Sequence, residues 1–412
     1  MKKKPDLLAP AGSYERAKIA YMYGADAVYA GTTDLSLRTR VGMGNDEFVN
    51  IVNLAKKMDK KVYTALNIYA FDEDYQKIKE QAKLLNDMGV DAVIVSDGGV
   101  LETVKEYAPN VDLHISTQAN TVSLETAKFW EKNGAKRIIL ARELSRDKIK
   151  YIMENKSPNL EMEMFIHGAV CMGYSGRCIL SNYLTGRASN HGDCAQPCRW
   201  KYNVYIEEER NKGVYIPVEE DNRGTYLLSA KDLCLINRIP EIIDMGVESL
   251  KIEGRLKTEY YIATVVNAYR NAIDDYVERG IFEADKYALE LVKAKSRNAS
   301  ELFYDDINND KIQNYKDGDD RSDVGYEYGA KVIEYKENDY SLVEIRNKIS
   351  VNDEMELMIP GKLEPINFVV DGLKDVETLS EIPCINPGKE GQKVLIKLPV
   401  FADKDYVIRR KK

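Results

Sequence analysis

A short phrase that recurs four times is the feature that most constrains how this chain can fold. Tyr23-Gly-Ala-Asp-Ala-Val-Tyr-Ala-Gly31 is echoed by Met88-Gly-Val-Asp-Ala-Val-Ile-Val-Ser96, Asn133-Gly-Ala-Lys-Arg-Ile-Ile-Leu-Ala141 and Met245-Gly-Val-Glu-Ser-Leu-Lys-Ile-Glu253. Each copy follows a stretch of helical periodicity, and its glycine suits the residue after a helix, where φ is positive. The Val- and Ile-rich run that comes next is typical of a buried strand. The repeats therefore predict βα units on a parallel sheet.

Four more strand candidates lie between these repeats. They are Leu7–Ala9, Lys61–Asn67, Asp112–Ser116 and Leu160–Ile166, which bring the total to eight strands by about residue 253. A helix predicted over Thr258–Glu278 completes the set. Eight parallel strands with alternating helices predict an α/β fold, a (β/α)8 TIM-like barrel, with an open doubly wound sheet as the alternative.

One connection of the predicted barrel is abnormally long. About 70 residues separate Ile166 from the helix near Asn237, whereas such loops usually have roughly two to six. This cysteine-rich insertion, residues 168–236, leaves from the carboxyl end of strand seven, on the face where barrel active sites lie. It contains five of the six cysteines.

The composition changes after the last barrel helix. We predict a barrel over residues 1–297, an acidic and solvated linker over 298–324, and a small all-β barrel domain over 325–412. The domain's predicted strands are Lys331–Tyr335, Leu342–Ile345, Glu354–Met358, Phe368–Val370 and Val394–Leu398.

Charge and hydropathy exclude some classes of protein. The net charge of −8 disfavours a protein that coats nucleic acid by bulk electrostatics. The short basic stretches Lys2–Lys4, Arg142–Lys150 and Arg409–Lys412 read as solvated faces. No apolar run approaches the roughly 18–20 residues of a membrane span, and the amino terminus lacks a signal-peptide core. We therefore expect a cytoplasmic protein without a membrane partner.

Four cysteines cluster within 28 residues of the insertion. Cys171, Cys178, Cys194 and Cys198 follow the spacing Cys-x6-Cys-x15-Cys-x3-Cys. Such clustering favours metal binding, and the loose spacing with nearby glycines favours an iron–sulfur cluster over zinc. Zinc and merely reactive or buried thiols stay open as alternatives. Cys234 and Cys384, outside this spacing, are expected to be packed core thiols.

A cysteine peptidase is a hypothesis of a different class. His167 and His191 lie near several cysteines, which could supply a nucleophile and a base. Nothing in the sequence orders them as a dyad, and that chemistry needs one cysteine rather than four. His-Glu-x-x-His is absent from the sequence, so a zinc protease of that type is unsupported.

The segment Glu163–Ser181 resembles the signature of the collagenase-like peptidase family, U32. The same is true of Leu7-Leu-Ala-Pro-Ala-Gly-Ser, Gly24-Ala-Asp-Ala-Val-Tyr and Leu250-Lys-Ile-Glu-Gly-Arg-Leu-Lys257, so the resemblance covers nearly the whole chain. Better understood members look like iron–sulfur hydroxylation factors for tRNA wobble uridine, ribosomal RNA cytidine or ubiquinone synthesis. A barrel followed by a β domain is most similar to the tRNA hydroxylation protein P branch.

The resemblance implies an activity and its cofactors. It implies an enzyme that forms 5-hydroxyuridine at the tRNA wobble position, uses prephenate as co-substrate and holds a 4Fe–4S cluster on Cys171, Cys178, Cys194 and Cys198. It also implies local contacts with tRNA and a possible related partner subunit. A collagenase-like peptidase, or a hydroxylation factor for another RNA or a small molecule, is the alternative.

Further candidate residues lie at the predicted carboxyl ends of the strands. Lys251, Glu253 and Arg255 alternate at the end of strand eight, which points them toward the barrel mouth. We interpret them as an anion site for a carboxylate such as prephenate, with Glu253 as acid/base or orienting group. The alternative is a structural ion pair of Glu253 with Arg255 or Lys251.

The other candidates are one histidine and three arginines. His167 closes strand seven as a proton donor or a structural group. Arg177, next to Cys178, is interpreted as a cluster or substrate contact, with a surface arginine as the alternative. Arg142 and Arg38 follow strands six and two and could meet phosphate or carboxylate, or serve only as solvated loop charges.

Overall fold

The computed structural model describes residues 2–31, 43–171, 173–200, 205–207, 209, 212–213, 215–217, 231–294, 298–305, 325–337, 339–388 and 391–412. The chain divides into two compact units. The first comprises Met1–Lys18, Asp26–Leu256 and Ser296–Ser322, and the second comprises Ile19–Ala25, Lys257–Lys295 and Asp323–Lys412.

Eight parallel strands of the first unit close into a barrel. The strands of this unit are β1 (Asp6–Pro10), β2 (Ala27–Gly31), β3 (Lys61–Leu66), β4 (Ala92–Val95), β5 (Asp112–Ile115), β6 (Arg137–Ile139), β7 (Glu161–Gly168), β8 (Tyr205–Glu207), β9 (Tyr215–Pro217), β10 (Asp232–Cys234), β11 (Ser249–Ile252) and β12 (Ala299–Ser300). Strands β1 to β7 pair in sequence order, and β11 pairs with both β1 and β7. The closed eight-stranded barrel is confirmed, and the open sheet is excluded.

One helix follows each of the strands β1 to β6, and four more helices lie later in the described chain. They are α1 (Tyr14–Met22), α2 (Asn45–Met58), α3 (Tyr75–Met88), α4 (Gly98–Tyr107), α5 (Leu124–Lys132), α6 (Arg146–Asn155), α7 (Leu180–Thr185), α8 (Ile239–Asp244), α9 (Glu259–Asp274) and α10 (Ala284–Lys293). No helix in the described ranges is long and apolar enough to cross a membrane.

The repeated glycine ends a helix as the sequence predicts. Gly89 follows α3 with φ of 71° and ψ of 49°, and its N–H caps the last turn. Ile78, Ala82 and Leu85 form the buried face of that helix. A side chain would be strained in this left-handed conformation, so glycine permits the chain to turn directly into the next buried strand.

The predicted linker is partly structured, which corrects the sequence interpretation for its first residues. Strand β12 pairs with β10 in parallel, and Leu302 and Tyr304 are 5% and 3% exposed. Arg238 lies 2.9 Å from Glu301 and 3.0 Å from Asp305. Apolar side chains within the acidic stretch are buried here because Arg238 compensates the neighbouring carboxylates. The rest of the predicted linker, residues 306–324, lies outside the described residues.

The second unit contains an antiparallel sheet of eight strands. The strands of this unit are β13 (Tyr326–Glu334), β14 (Tyr340–Ile345), β15 (Ile349–Ser350), β16 (Glu354–Leu357), β17 (Ile366–Val369), β18 (Leu373–Lys374), β19 (Glu381–Ile382), β20 (Cys384–Ile385), β21 (Lys393–Lys397) and β22 (Val407–Lys411). The order is β17-β16-β22-β13-β14-β21-β18-β19. No pairing joins β17 to β19 among the described strands, so these two are the edge strands of the all-β sheet.

The predicted domain boundaries at residues 297 and 324 differ from the division into units. Helices α9 and α10 belong with the C-terminal strands. Tyr328 on β13 donates a 2.8 Å hydrogen bond to Glu259 on α9, and its ring stacks on that of Tyr260. These contacts between residues distant in sequence join α9 to the C-terminal strands within the second unit.

The basic carboxyl terminus is not a solvated face, which corrects the sequence interpretation of Arg409–Lys412. Arg409 lies on β22, is completely buried, and forms ion pairs with Glu356 and, at 2.8 Å, with Glu290. A buried guanidinium needs such carboxylate partners to offset its lost hydration. A short run of charges does not reveal this pairing.

Candidate functional site

The interior of the barrel is organised around one carboxylate, Glu163 on β7. Glu163 is completely buried. Its Oε1 lies 3.1 Å from the Nζ of Lys251, and its Oε2 lies 3.4 Å from Nη1 of Arg137 and accepts a 2.8 Å hydrogen bond from Ser249. A buried charge is tolerated only when it is paired and hydrogen-bonded. We call Glu163, Arg137, Lys251 and Ser249 the interior cluster.

Arg137 extends this cluster toward the amino-terminal ends of the strands. Its Nη2 lies 2.6 Å from Glu161 and 3.1 Å from Asp6, and its guanidinium lies 5.6 Å from the ring centre of Tyr63. Arg137 pairs in register with Glu161, and Glu163 lies two residues further along the same strand, so both carboxylates are on the same face of β7 as each other. Three carboxylates therefore surround one guanidinium.

Lys251 is held inside the barrel instead of projecting from its mouth. The residue is 4% exposed, and its ammonium lies 4.3 Å from the ring centre of Tyr29 and 5.4 Å from that of Phe165. Burial lowers the pKa of Lys251, and the carboxylate of Glu163 opposes that shift. Lys251 therefore forms a structural ion pair with Glu163, a partner that the sequence analysis did not consider.

Glu253 and His167 come together at the carboxyl ends of adjacent strands. The Glu253 N–H donates a 2.8 Å hydrogen bond to the carbonyl of His167. The phenol of Tyr29 lies 3.0 Å from Oε2 of Glu253 and 3.1 Å from the carbonyl of Ile252, and can donate to either oxygen. The backbone contact thus places side by side, at the carboxyl ends of the strands, two residue types that can transfer protons.

Arg255 follows Glu253 but is almost buried. It is 5% exposed, and its guanidinium carbon lies 5.9 Å from the ring centre of Tyr29. Its carbonyl accepts a 3.2 Å hydrogen bond from Arg16, and a Cβ at Gly12 would lie 2.2 Å from that carbonyl oxygen. The backbone at Arg255 is therefore packed tightly against the loop after β1.

Arg142 positions the start of the cysteine insertion. Its Nη1 donates a 2.9 Å hydrogen bond to the carbonyl of Ala169, and its guanidinium lies 5.0 Å from the ring centre of Phe165. This contact is more specific than that of a solvated loop charge. Arg38, the other arginine predicted on this face, lies outside the described residues.

Residues 168–200, described except for 172 and here called the cysteine segment, rest on loops at the carboxyl ends of the strands. A Cβ at Gly176, where φ is 72°, would lie 2.0 Å from the Gln118 carbonyl oxygen and 2.5 Å from the Tyr69 hydroxyl. Tyr69 itself donates a 2.6 Å hydrogen bond to that carbonyl. Only glycine permits this approach, and it fixes the segment beside the loops after β3 and β5.

A second contact ties the segment to the loop after β3. His191 Nε2 lies 3.0 Å from Oδ2 of Asp74, and the Tyr69 N–H donates a 3.1 Å hydrogen bond to the carbonyl of Asn190. Burial favours a higher pKa for Asp74, but the hydrogen bonds from His191 and from the Phe71 N–H lower it below its usual value. The histidine that we considered as a peptidase base is therefore engaged in a tether.

Arg177 lies on the exposed side of the cysteine segment, next to Cys178. Burial raises the pKa of the Tyr69 phenol, and the positive charge of Arg177 opposes the rise. The arginine therefore lies close enough to affect the residue that anchors the segment. Its exposure fits both the predicted contact with a ligand and the surface arginine that we kept as the alternative.

The four clustered cysteines interact electrostatically. Burial raises the pKa of the Cys198 thiol, Arg199 opposes this, and negative charge on Cys171, Cys194 and Cys178 raises it further. No group of three or more His, Cys, Asp or Glu side chains in the described part of the chain is arranged to hold a metal ion. The residue types, four cysteines, match the donor set of an iron–sulfur cluster or zinc, and both the binding of a metal and its identity stay predictions.

Neither of the other two cysteines is fully buried. Cys234 lies on β10, which runs antiparallel to β7 and places Cys234 opposite His167. Cys384 pairs with Ser350 in the second unit. Both thiols are therefore less buried than the core thiols that we expected, and Cys234 lies beside the carboxyl end of β7.

Sequence reasoning missed the partners of its own candidates. Glu163, Arg137 and Tyr29 surround Lys251 and Glu253, and His114 lies beside Tyr63 with ring centres 4.7 Å apart. Burial, with Arg137 and Lys251, holds the pKa of His114 well below its usual value. The sequence did contain a signal for these buried partners, because charged residues at alternate positions of a predicted barrel strand point inward.

Comparisons with known proteins agree with this architecture. The family model "Peptidase family U32" matches residues 12–314, and "Peptidase family U32 C-terminal domain" matches residues 325–409. The tRNA hydroxylation protein P of Escherichia coli (strain K12) is 37% identical over 444 residues, covering 98% of this chain and 96% of that protein.

Two further relatives show how far the similarity extends. The tRNA hydroxylation protein P1 of Bacillus subtilis (strain 168) is 38% identical over 378 residues, covering 90% of this chain and 87% of that protein. The 23S rRNA 5-hydroxycytidine C2501 synthase of Escherichia coli (strain K12) is 36% identical over 273 residues, covering 66% of this chain but 40% of that protein. The first similarity includes most of both chains, whereas the second is partial.

Proposed function

The chain belongs to peptidase family U32, and we propose that it is an RNA-hydroxylating enzyme that forms 5-hydroxyuridine at the wobble position of tRNA. The observation that carries this proposal is the similarity to a tRNA hydroxylation protein over 98% of this chain. The geometry is compatible with it, because the cysteine segment lies on the carboxyl-end loops of the barrel, where barrel enzymes place their active sites.

The proposal assigns a 4Fe–4S cluster to the cysteine segment. Cys171, Cys178, Cys194 and Cys198 would hold it, since four thiolates are the usual complement. When bound, such a cluster supplies electron-transfer chemistry beside the barrel mouth. The thiols themselves support this assignment, because their mutual repulsion as thiolates is relieved by a bound cationic metal centre.

Prephenate is the proposed co-substrate, and the arginines of the mouth are its proposed ligands. A dicarboxylate suits Arg255 and Arg177, since a guanidinium binds carboxylate through a planar fork. Arg142 contributes by holding the start of the cysteine segment through Ala169. Lys251 is paired with Glu163, so we revise its role from direct contact to a fixed positive charge below the site.

Proton transfer in the proposed site belongs to Glu253 and His167. Tyr29 lies within hydrogen-bonding distance of the Glu253 carboxylate, and this contact fixes the carboxylate toward the barrel. The backbone hydrogen bond between Glu253 and His167 keeps the two residues adjacent. An acid and a base on neighbouring strands can act on one bound substrate.

Exposed aromatic side chains on the cysteine segment support an RNA substrate. Tyr174, Tyr183 and Trp200 are 65%, 82% and 46% exposed. Bases of single-stranded RNA stack on such rings for about 1–3 kcal/mol each. Because the net charge is −8, we expect tRNA contacts to be local to this segment and Arg177.

Mass spectrometry of tRNA nucleosides tests the activity. Cells that lack the protein should lose 5-hydroxyuridine, and the wild-type chain should restore it. Cys178→Ser should not restore it, whereas Cys384→Ser, in the other unit, should. Unchanged 5-hydroxyuridine in the deleted cells would overturn the proposed substrate.

Metal analysis of anaerobically purified protein tests the cluster separately. We expect brown protein with about four irons per chain, and loss of iron in Cys178→Ser but not in Cys384→Ser. Stoichiometric zinc without iron would contradict the proposal.

A peptidase is the second candidate, because one structural observation favours it. Residues opposite each other in an antiparallel ladder have neighbouring side chains, so Cys234 and His167 form a possible nucleophile and base. Gelatin cleavage by metal-depleted protein, lost in Cys234→Ala, would establish this activity. We expect no cleavage.

A further inference from the structure

An open groove in the second unit has no part in the proposed reaction. Its volume is about 750 Å³. It is bounded by the turn after β13, by the end of β17 and by the residues after β21. Its lining residues are Tyr335, Glu337, Asp339, Phe368, Val369, Asp371, Lys397, Leu398, Pro399, Val400 and Phe401.

Several apolar side chains that line the groove are open to solvent. Phe401 is 60% exposed, Val369 57% and Val400 38%. The ring of Phe401 packs edge-to-face on Tyr335, with centres 5.2 Å apart. Contiguous exposed apolar side chains surrounded by polar residues are characteristic of interaction sites.

The rim of the groove is acidic. Glu337, Asp339 and Asp371 are exposed around it. Lys397 is the single cation among the described lining residues, and its ammonium lies 3.9 Å from Asp371 and 5.3 Å from the ring centre of Tyr340. The rim therefore attracts cations and repels phosphate groups.

One wall of the groove is an edge strand. β17 is the end strand of its sheet and pairs with β16 on one side. Its sequence, Ile366-Asn-Phe-Val369, carries no charged residue. Natural sheets usually protect their edges with charges, proline or bulges. Pro365 and Asp371 flank β17, but its own four residues carry none of these, so its side that is unpaired among the described strands can accept an additional strand from a peptide.

We propose that this groove binds an extended basic segment of a partner protein. The segment would pair with β17, place apolar or aromatic side chains on Phe401 and Val369, and direct lysine or arginine side chains toward Glu337, Asp339 and Asp371. The binding would assign the second unit a docking role that is independent of RNA hydroxylation.

Fluorescence anisotropy with the full chain tests the proposal. The probe is a short labelled peptide in which lysine alternates with valine and phenylalanine, and its twin has glutamate in place of lysine. We expect saturable binding of the lysine peptide that weakens with added salt, and no binding of the glutamate peptide. Equal binding of both peptides, or of neither, overturns the proposal.

Matched variants locate the binding site. Glu337→Lys combined with Asp339→Lys should weaken binding of the lysine peptide about tenfold or more, since each reversal replaces an attraction with a repulsion. Phe401→Ala should weaken it as well. Glu377→Lys, at an exposed acidic residue that does not line the groove, should leave it unchanged. Circular dichroism checks that each variant is folded.

Two other occupants would overturn the proposal. A uridine oligonucleotide that competes with the lysine peptide, and that loses binding in Phe401→Ala, would make the groove an RNA site. A dimer in analytical ultracentrifugation that Phe401→Ala dissociates would make it a contact between two copies of the chain. Hydroxylation of tRNA is a separate readout, which we expect Phe401→Ala to leave intact.

Discussion

The barrel interior balances its charges with partners from the same chain, whereas the cysteine segment concentrates four thiols that repel one another once ionised. Glu163 has cations at 3.1 and 3.4 Å. Burial, by contrast, raises the pKa of the Cys198 thiol, and negative charge on the other three cysteines raises it further. The charges of the interior are therefore balanced by its own side chains, whereas the segment would gain stability from the metal centre that we propose.

The two regions also differ in how they are held. The interior cluster joins side chains of strands β6, β7 and β11 deep in the barrel. The cysteine segment rests on surface loops through the close approach of Gly176 to Gln118 and through the pair His191–Asp74. We expect changes in the interior to reduce the stability of the barrel, and changes in the segment to affect ligands and local order.

The largest expected effect is on the interior. Glu163→Ala leaves Lys251 and Arg137 buried with fewer compensating charges, so the free energy of unfolding should fall by about 3–5 kcal/mol. Urea denaturation followed by circular dichroism measures this. Glu125→Ala is the control: its carboxylate is 81% exposed and pairs with Lys128, which is 50% exposed, so its loss should cost about 1 kcal/mol or less. Equal costs would contradict the central role of Glu163.

A substitution of Arg255 tests whether this residue binds the co-substrate, supports the cysteine segment or only packs against the loop after β1. Arg255→Lys keeps the charge but removes the planar fork, and loss of one charge-assisted contact costs about 1.5–3 kcal/mol. We expect a tenfold to hundredfold weaker use of prephenate, by the same conversion, with iron content unchanged. The measurement is 5-hydroxyuridine yield at limiting prephenate, with Arg146→Lys as an exposed control.

Two other results for Arg255→Lys would change its assignment. Unchanged yield would make Arg255 part of the structural packing at Gly12. Loss of iron together with a lower yield of 5-hydroxyuridine would mean that Arg255 supports the cysteine segment.

A substitution of Gly176 tests which contact holds the cysteine segment in place. Gly176→Ala places a methyl group against a backbone carbonyl and strains a left-handed residue, and the strain alone costs about 1–2 kcal/mol. Gly186→Ala is the matched control, because φ is 70° there and no atom lies within 4 Å of the added Cβ. Hydrogen exchange of the segment should rise more in Gly176→Ala. Equal exchange would mean that the contact with Gln118 is not what holds the segment.

The smallest expected effect concerns pH. The lowered pKa of Asp74 means that its contribution to stability is present above the ordinary pKa of about 4 and is lost as pH falls through the folded value. Proteolysis within the segment should therefore increase below about pH 4, before the barrel unfolds. Asp74→Asn should show the increased proteolysis already at neutral pH. An identical pH profile in both proteins would exclude Asp74 as the tether.

The sequence by itself determined the barrel, because helix–glycine–strand repeats are local patterns that each segment carries alone. It also identified the clustered cysteines by their spacing. The tertiary structure alone decided three further features. They are the pairing of Glu163 with Lys251, the close approach of Gly176 to Gln118 and the burial of Arg409. These contacts join residues far apart in the chain, and charged side chains look alike in a sequence whether a distant partner buries them or water surrounds them.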